Sequence, residues 1–248
     1  MGIMSTMTCA FLTGRPQTFR CAVILSAAPE MMFKRHFHGL KTVANKGDKI
    51  VTVDEIRRFM CACMKKVGTC EEHAQMLADV LIEADNRGHY SHGLNRLDMY
   101  VKDIKKNVCK GEGNPTVVKE RVATAWVDGN NLLGPVIGNF CIDLAMEKAK
   151  EAGVGWVVCR GSNHYGIAGW YSMRAMERGF MGFTCTNTSP IMFPTRSSKP
   201  ALGTNPLSLA VKGTGGDSFV LDMATTAVAV GKARLLFLVN CLFTFRNK

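Results

Sequence analysis

Apolar residues recur at helical spacing between about residues 53 and 107, and the pattern then gives way to short β-branched runs. Val53, Ile56, Phe59, Met60 and Cys63 share one helical face. Ahead of them, Thr52-Val-Asp-Glu55 reads as a capping box, with the Thr52 hydroxyl placed to accept from the third helical amide. Thr69-Cys-Glu-Glu72 reads as a second capping box. It opens a stripe of Ala74, Leu77, Ala78, Leu81 and Ile82 that stops at Arg87-Gly88. A third helix is expected from about Leu94 to Asn107, on Leu97, Val101 and Ile104.

From Pro115 the period shortens. Thr116–Val118 and Val122–Val127 read as strands, with Asp128-Gly129 as a turn. Pro135 suits the first helical position, and the helix it starts should stop at Gly153. A strand over 154–159, a polar loop, a helix over 167–178 and a strand over 181–185 follow. A Pro/Ser/Lys-rich loop spans 189–206, and strands are expected at 207–211 and 218–221. The predicted fold class is mixed α/β, a helical N-terminal part followed by a mixed α/β domain. The chain divides into an extension over 1–47, a mainly helical part over 48–114, a mixed part over 115–234 and an apolar tail over 235–248.

Composition changes this picture little. With 248 residues, 47% hydrophobic and 21% charged, the chain is of ordinary globular type. The net charge of +11 suggests nucleic acid until it is divided along the chain. Residues 1–47 hold six Lys/Arg against one acid (+5), and residues 232–248 hold four against none (+4). The remaining 48–231 hold 21 against 19, a net of only +2. The folded part therefore lacks a phosphate-binding excess, and no nucleic-acid partner is expected. No apolar run reaches the ~20 residues of a membrane span, so no membrane partner is expected either. Ten cysteines stand singly apart from Cys61 and Cys63, a usage that fits reduced thiols inside the cell. Cys61, Cys63, Cys70 and His73 lie on predicted helices at poor ligand spacing, so no metal site is expected. The arginines and low acid content of residues 1–47 fit a mitochondrial leader as well as a plain extension, so the location expected is cytoplasmic, or mitochondrial if the leader reading holds.

The candidate chemistry lies in two loops. Arg160-Gly-Ser-Asn-His-Tyr-Gly166 follows a predicted strand and precedes a predicted helix, the position at which open α/β sheets place reactive groups. Histidine exchanges a proton near neutrality, its ordinary pKa being about 6.5. His89-Tyr-Ser-His-Gly93, with Arg96 just beyond, adds a second imidazole and a fixed cation. Together they suit acid–base work on an anionic substrate. Neither G-x-G-x-x-G between strand and helix nor G-x-x-x-x-G-K-[ST] occurs, so a nucleotide would have to be held by other means.

Ser91-His92-Gly93 with Arg96, Ser162-Asn163-His164-Tyr165-Gly166, Thr186-Asn187-Thr188-Ser189-Pro190, Gly203-Thr204-Asn205-Pro206 and Leu221-Asp222-Met223-Ala224-Thr225 occur in this order. Over about residues 50–234 the chain resembles the second type of malate/L-lactate dehydrogenase family, which includes ureidoglycolate and sulfolactate dehydrogenases and cyclic imino-acid reductases. The resemblance implies NAD- or NADP-dependent oxidation of a small 2-hydroxy acid, or reduction of the 2-oxo acid, on a non-Rossmann fold, in a homodimer. It implies that His164 is the proton acceptor, with His92 and Arg96 beside the substrate. Ser91, Asn163 and Thr188 would contact substrate, and Asp222, Met223 and Ala224 the cofactor. Each residue also has a plainer role open to it: His92 as a helix cap, Arg96 as a surface cation, Gly203–Pro206 as a turn. Family members continue past Gly231-Lys232, which leaves a second expectation: a shortened, non-catalytic paralogue that pairs with a full-length dehydrogenase subunit.

Overall fold

The computed structural model describes residues 51–226 and, as backbone, the strand Arg20–Ser26. The tail at 235–248 lies outside the described residues. Helices α1 (Val53–Lys65), α2 (Glu71–Asn86) and α3 (Leu97–Lys105) come first, α1 and α2 packed together and α3 against α1. Thr52 caps α1 as expected, its hydroxyl accepting from the Glu55 amide at 3.2 Å. Glu55 does not reach back; its carboxylate pairs with Arg58.

The second capping box does not form. Cys70 occupies the cap position of α2 without a side-chain bond, and the buried Thr69 hydroxyl has no partner among the described residues. Tertiary packing is the cause. The Cys70 amide donates to the Gly111 carbonyl, and a Cβ on Gly111 would come within 2.8 Å of Thr69 Cα. The helix expected from Leu94 also starts late. Tyr90–His92 and Leu94–Arg96 form two 3₁₀ turns before α3, so Arg96 stands at the mouth of the helix and not one turn inside it.

The sheet has seven strands in the order β2-β3-β4-β1-β5-β6-β7. These are β1 (Arg20–Ser26), β2 (Thr116–Glu120), β3 (Thr124–Leu132), β4 (Val154–Ser162), β5 (Phe180–Thr186), β6 (Leu207–Lys212) and β7 (Ser218–Met223). Asp128-Gly129 is not a turn but continues β3, whose register with β4 shifts between Asp128 and Leu132, where Asn130 and Asn131 take left-handed backbone at φ 54° and 59°. Helix α4 (Gly134–Ala152) carries Pro135 in its first turn, ends on left-handed Gly153 (φ 78°), and joins β3 to β4, which run parallel. Helix α5 (Gly169–Glu177) joins β4 to β5. The other neighbouring strands are antiparallel.

Residues 1–47, expected as an extension, thus supply one central strand. The apolar run Cys21-Ala-Val-Ile-Leu25 was the available signal, hidden in the sequence by the basic composition around it. A run of that length reads equally as a buried strand.

Two apolar clusters result, and they meet at α4. Met60, Met64, Leu77, Leu81, Tyr100 and Ile104 pack with Leu133 and Val136. Ala125, Val127, Val157 and Cys159 pack under Ile137, Ile142, Met146 and Tyr171. The start of α4 therefore bears on both clusters, next to the histidine loop. The helix lies so close on β4 that a Cβ at Gly155 would stand 1.8 Å from the Ala145 carbonyl oxygen. Gly155→Ala is expected to lower stability by about 1–3 kcal/mol through overpacking, seen as a reduced urea midpoint at unchanged slope. An unchanged midpoint would show that α4 does not bear on the strand.

Candidate active site

The histidine loop leaves the carboxyl end of β4 and is held on three sides. A Cβ on Gly134, the first residue of α4, would lie 2.1 Å from the His164 carbonyl oxygen. Gly166, at φ 82°, presses against Val80 of α2. Tyr100 of α3, fully buried, places its hydroxyl 2.7 Å from His164 Nδ1 and donates to the His164 carbonyl at 3.1 Å. Nδ1 also accepts from the Gly166 amide at 3.1 Å. Tyr100 was not singled out from the sequence, where the stripe taken for the third helix was Leu97, Val101 and Ile104.

The second loop comes to the same place. The rings of His92 and His164 stack with centroids 5.4 Å apart and planes 29° apart. His92 Nδ1 lies 2.8 Å from the hydroxyl of Ser91, which is itself buried. Arg96 donates from Nε to the Ser91 carbonyl at 2.6 Å. Arg96 appears in no ion pair among the described residues. A half-buried guanidinium held on the loop that carries His92, in no ion pair among the described residues, suits a small anion.

Asp85, at the end of α2, anchors this loop. Its Oδ2 accepts from the Leu94 amide at 2.8 Å, and its carboxylate fills the space that a Gly93 Cβ would need. Burial pushes the Asp85 carboxyl above the ordinary carboxylate range, against the opposing Leu94 hydrogen bond. Sequence reading missed Asp85, because an acid near the end of a helix looks like a solvated one.

Asn163, expected at the substrate, is committed within the protein. Its Oδ1 accepts from the Gly134 amide at 2.7 Å, and its Nδ2 donates to Asp103 at 3.0 Å and lies 3.4 Å from Cys109 Sγ. Burial, with the Asp103 charge, pushes the Cys109 thiol up to about 12, so it stays neutral there. Asn163 thereby ties the histidine loop to α3 and α4 with both ends of its amide. Thr188 is similarly occupied: its hydroxyl accepts from the Thr204 amide at 2.7 Å and its amide donates to Asn205 at 3.1 Å. These bonds close the base of the 189–206 loop.

Asp222, on β7, lies opposite Ser208 in the sheet register and so faces α5. Its Oδ2 accepts from the Gly169 amide at 2.8 Å, at the first turn of α5. Burial raises its pKa, opposed by that hydrogen bond and by the nearby charges of His89 and Arg87. The end of β7, the start of α5 and the loop after α2 therefore converge. Met223 is exposed and Ala224 half-buried just beyond.

Comparison with known proteins identifies the family. The malate/L-lactate dehydrogenase family matches residues 51–237. A malate/(S)-sulfolactate dehydrogenase of Methanothermus fervidus is 42% identical over 74% of this chain and 54% of its own length. A malate dehydrogenase of Pyrococcus abyssi is 43% identical over 72% of this chain and 49% of its own. Among solved structures, malate dehydrogenase from Entamoeba histolytica superposes with a TM-score of 0.74 at 37% identity, covering 77% of this chain and 54% of that one. Sulfolactate dehydrogenase from Methanocaldococcus jannaschii gives 0.73 at 40%, covering 77% and 56%. The chain spans about half the length of the relatives it matches. With the order of motifs, the paired histidine loops and these likenesses in agreement, the chain belongs to the malate/L-lactate dehydrogenase family.

Proposed function

We propose that this chain carries the acid–base and substrate-binding half of an NAD- or NADP-dependent dehydrogenase acting on a small 2-hydroxy acid. The observation that supports it best is the stacked His92–His164 pair with Arg96 alongside and Tyr100 on Nδ1. His164 takes the proton of the substrate hydroxyl as the C2–H bond breaks, and returns it to the carbonyl oxygen in the reverse direction. Tyr100 and the backbone around Gly134 keep the ring from turning. Arg96 holds the C1 carboxylate and so fixes C2 beside the base. His92, its Nδ1 on Ser91, presents the other ring nitrogen to the same small volume. Asn163 and Thr188 act by fixing the loops and not by touching substrate.

The bound nicotinamide cofactor supplies the hydride acceptor. Asp222 fits a ribose hydroxyl, because one of its oxygens is spent on Gly169 and the other is not used in any hydrogen bond among the described residues. A carboxylate at the first turn of α5 repels phosphate, so that helix end is not the pyrophosphate seat. Asp222, with Met223 and Ala224 next to it, would hold the ribose of the cofactor on a non-Rossmann frame. The relatives' names share a 2-hydroxy acid, and malate or sulfolactate is the substrate class expected here; a homodimer is the expected assembly.

His164→Ala should lower kcat with NADH or NADPH and a 2-oxo acid by roughly 10²–10⁴-fold while the dinucleotide Kd stays the same. Tyr100→Phe should cost up to about 10²-fold through a misplaced ring. Steady-state kinetics with fluorescence titration of NADH checks both, and unchanged turnover in the alanine variant would remove the assignment.

Asp222 gives a separate test. Its folded-state pKa is raised, so the fold binds this proton more tightly than the unfolded chain and loses stability as pH rises through the folded value. Asp222→Asn keeps an oxygen for Gly169 and removes the buried charge. It should raise Tm at neutral pH by roughly 2–4 °C per kcal/mol gained, with the gain shrinking as pH is lowered. The same change should weaken dinucleotide binding. A pH-independent loss of Tm would contradict the buried-charge account.

A further inference from the structure

The central strand of the sheet comes from outside the family segment. β1 lies at residues 20–26, whereas the family match begins at 51. Yet β1 is paired on both sides along its length. It faces β4 from Arg20↔Cys159 to Leu25↔Val154, and β5 from Arg20↔Thr186 to Ser26↔Phe180. Because both neighbours are antiparallel to it, β4 and β5 run parallel to each other. Without β1 the sheet falls into β2-β3-β4 and β5-β6-β7. Each half would then carry a bare edge at its inner side, Val154–Ser162 or Phe180–Thr186.

Those edges are set apart by their helices. α4 packs on β3, β4 and β1, and α5 packs on β5, β6 and β7, while α4 and α5 touch each other. Neighbouring strands lie about 4.8 Å apart, so the gap between β4 and β5 is about 10 Å, the width of one strand. Leaving it empty strands two rows of amides and carbonyls without partners, which is costly for buried groups. Such a gap reads backbone and not sequence: any extended, proline-free segment of about seven residues satisfies it. Arg20–Ser26 meets that description, with the prolines Pro16 and Pro29 standing outside the run at either end. Twenty-six residues, 27–52, connect it to α1, and loop closure of that length adds only modest entropy.

We propose that the space between β4 and β5 is a strand-acceptor site, filled in this chain by Arg20–Ser26 as an intramolecular donor strand. The contact is backbone pairing, so it is exchangeable: the same segment supplied as a free peptide fills the site when the attached strand cannot.

Cys21 stands opposite Cys185 in the β1–β5 register. A short bis-maleimide added to the intact chain should join these two thiols, recovered as a linked peptide pair by mass spectrometry, and Cys21→Ser should abolish the product. Val23→Pro removes a ladder donor from mid-strand. It should speed amide hydrogen exchange along β4 and β5 by roughly tenfold or more, leaving α1 and α2 unchanged. A synthetic peptide of residues 17–28 should restore the lost protection, and the same peptide with the proline should not. Absence of the Cys21–Cys185 link, with β4 and β5 equally protected in Val23→Pro, overturns the proposal. A link formed only between two chains overturns the intramolecular assignment.

Discussion

The bond between the buried Tyr100 hydroxyl and the imidazole of His164 joins the two halves of this molecule. Tyr100 belongs to the helical cluster of α1–α3, and His164 to the loop that leaves the sheet. A phenol with no exposed surface has to find a partner, since an unsatisfied buried hydroxyl costs about 1–3 kcal/mol. Here the partner is the side chain proposed to move the proton. The packing that stabilises the helical part thus also orients the base. Asn163 repeats the arrangement one residue earlier, binding α4 through Gly134 and α3 through Asp103. The loop is fixed by groups that never need to touch a substrate.

The same region carries charge at a cost. Asp85 and Asp222 both have carboxyls pushed upward by burial, and each is spent on a backbone amide at the start of a helical turn, Leu94 or Gly169. Asp85 sets the loop that presents His92 and Arg96. Asp222 brings β7 and α5 against the loop after α2. Arg96 remains with only a backbone carbonyl as partner among the described residues. Asp85 thus fixes the loop from which both His92 and Arg96 project, so the two groups are held before any substrate arrives.

Local chemistry was legible where local forces decide the outcome. Thr52, Pro135 and Gly153 marked helix ends correctly, because caps act over three or four residues. The strand–loop–helix unit around His164 was legible for the same reason. Thr69 failed as a cap because the Gly111 segment packs over it, which no three-residue pattern encodes. Asn163 and Thr188 are expected at the substrate from the family resemblance, and the bonds that tie Asn163 to Gly134 and Asp103, and Thr188 to Thr204 and Asn205, are tertiary and leave no mark in the sequence. Tyr100 and Asp85 look ordinary along the chain and acquire their roles only from residues sixty-four and nine positions away. β1 was hidden by the basic composition around an apolar run, and its pairing with residues more than a hundred positions on is a matter of topology.

A proton-transfer site shared by both histidine loops is best tested by following their two rings at once. Oxamate, an unreactive analogue of a 2-oxo acid, would be titrated into the isotope-labelled chain with NADH present, and the imidazole resonances of His92 and His164 recorded by NMR. Both rings are expected to shift together along one saturation curve, and Arg96→Gln to move that curve to higher oxamate concentration. Saturable binding that leaves either ring unmoved, or that ignores Arg96, would contradict a common site for the two loops.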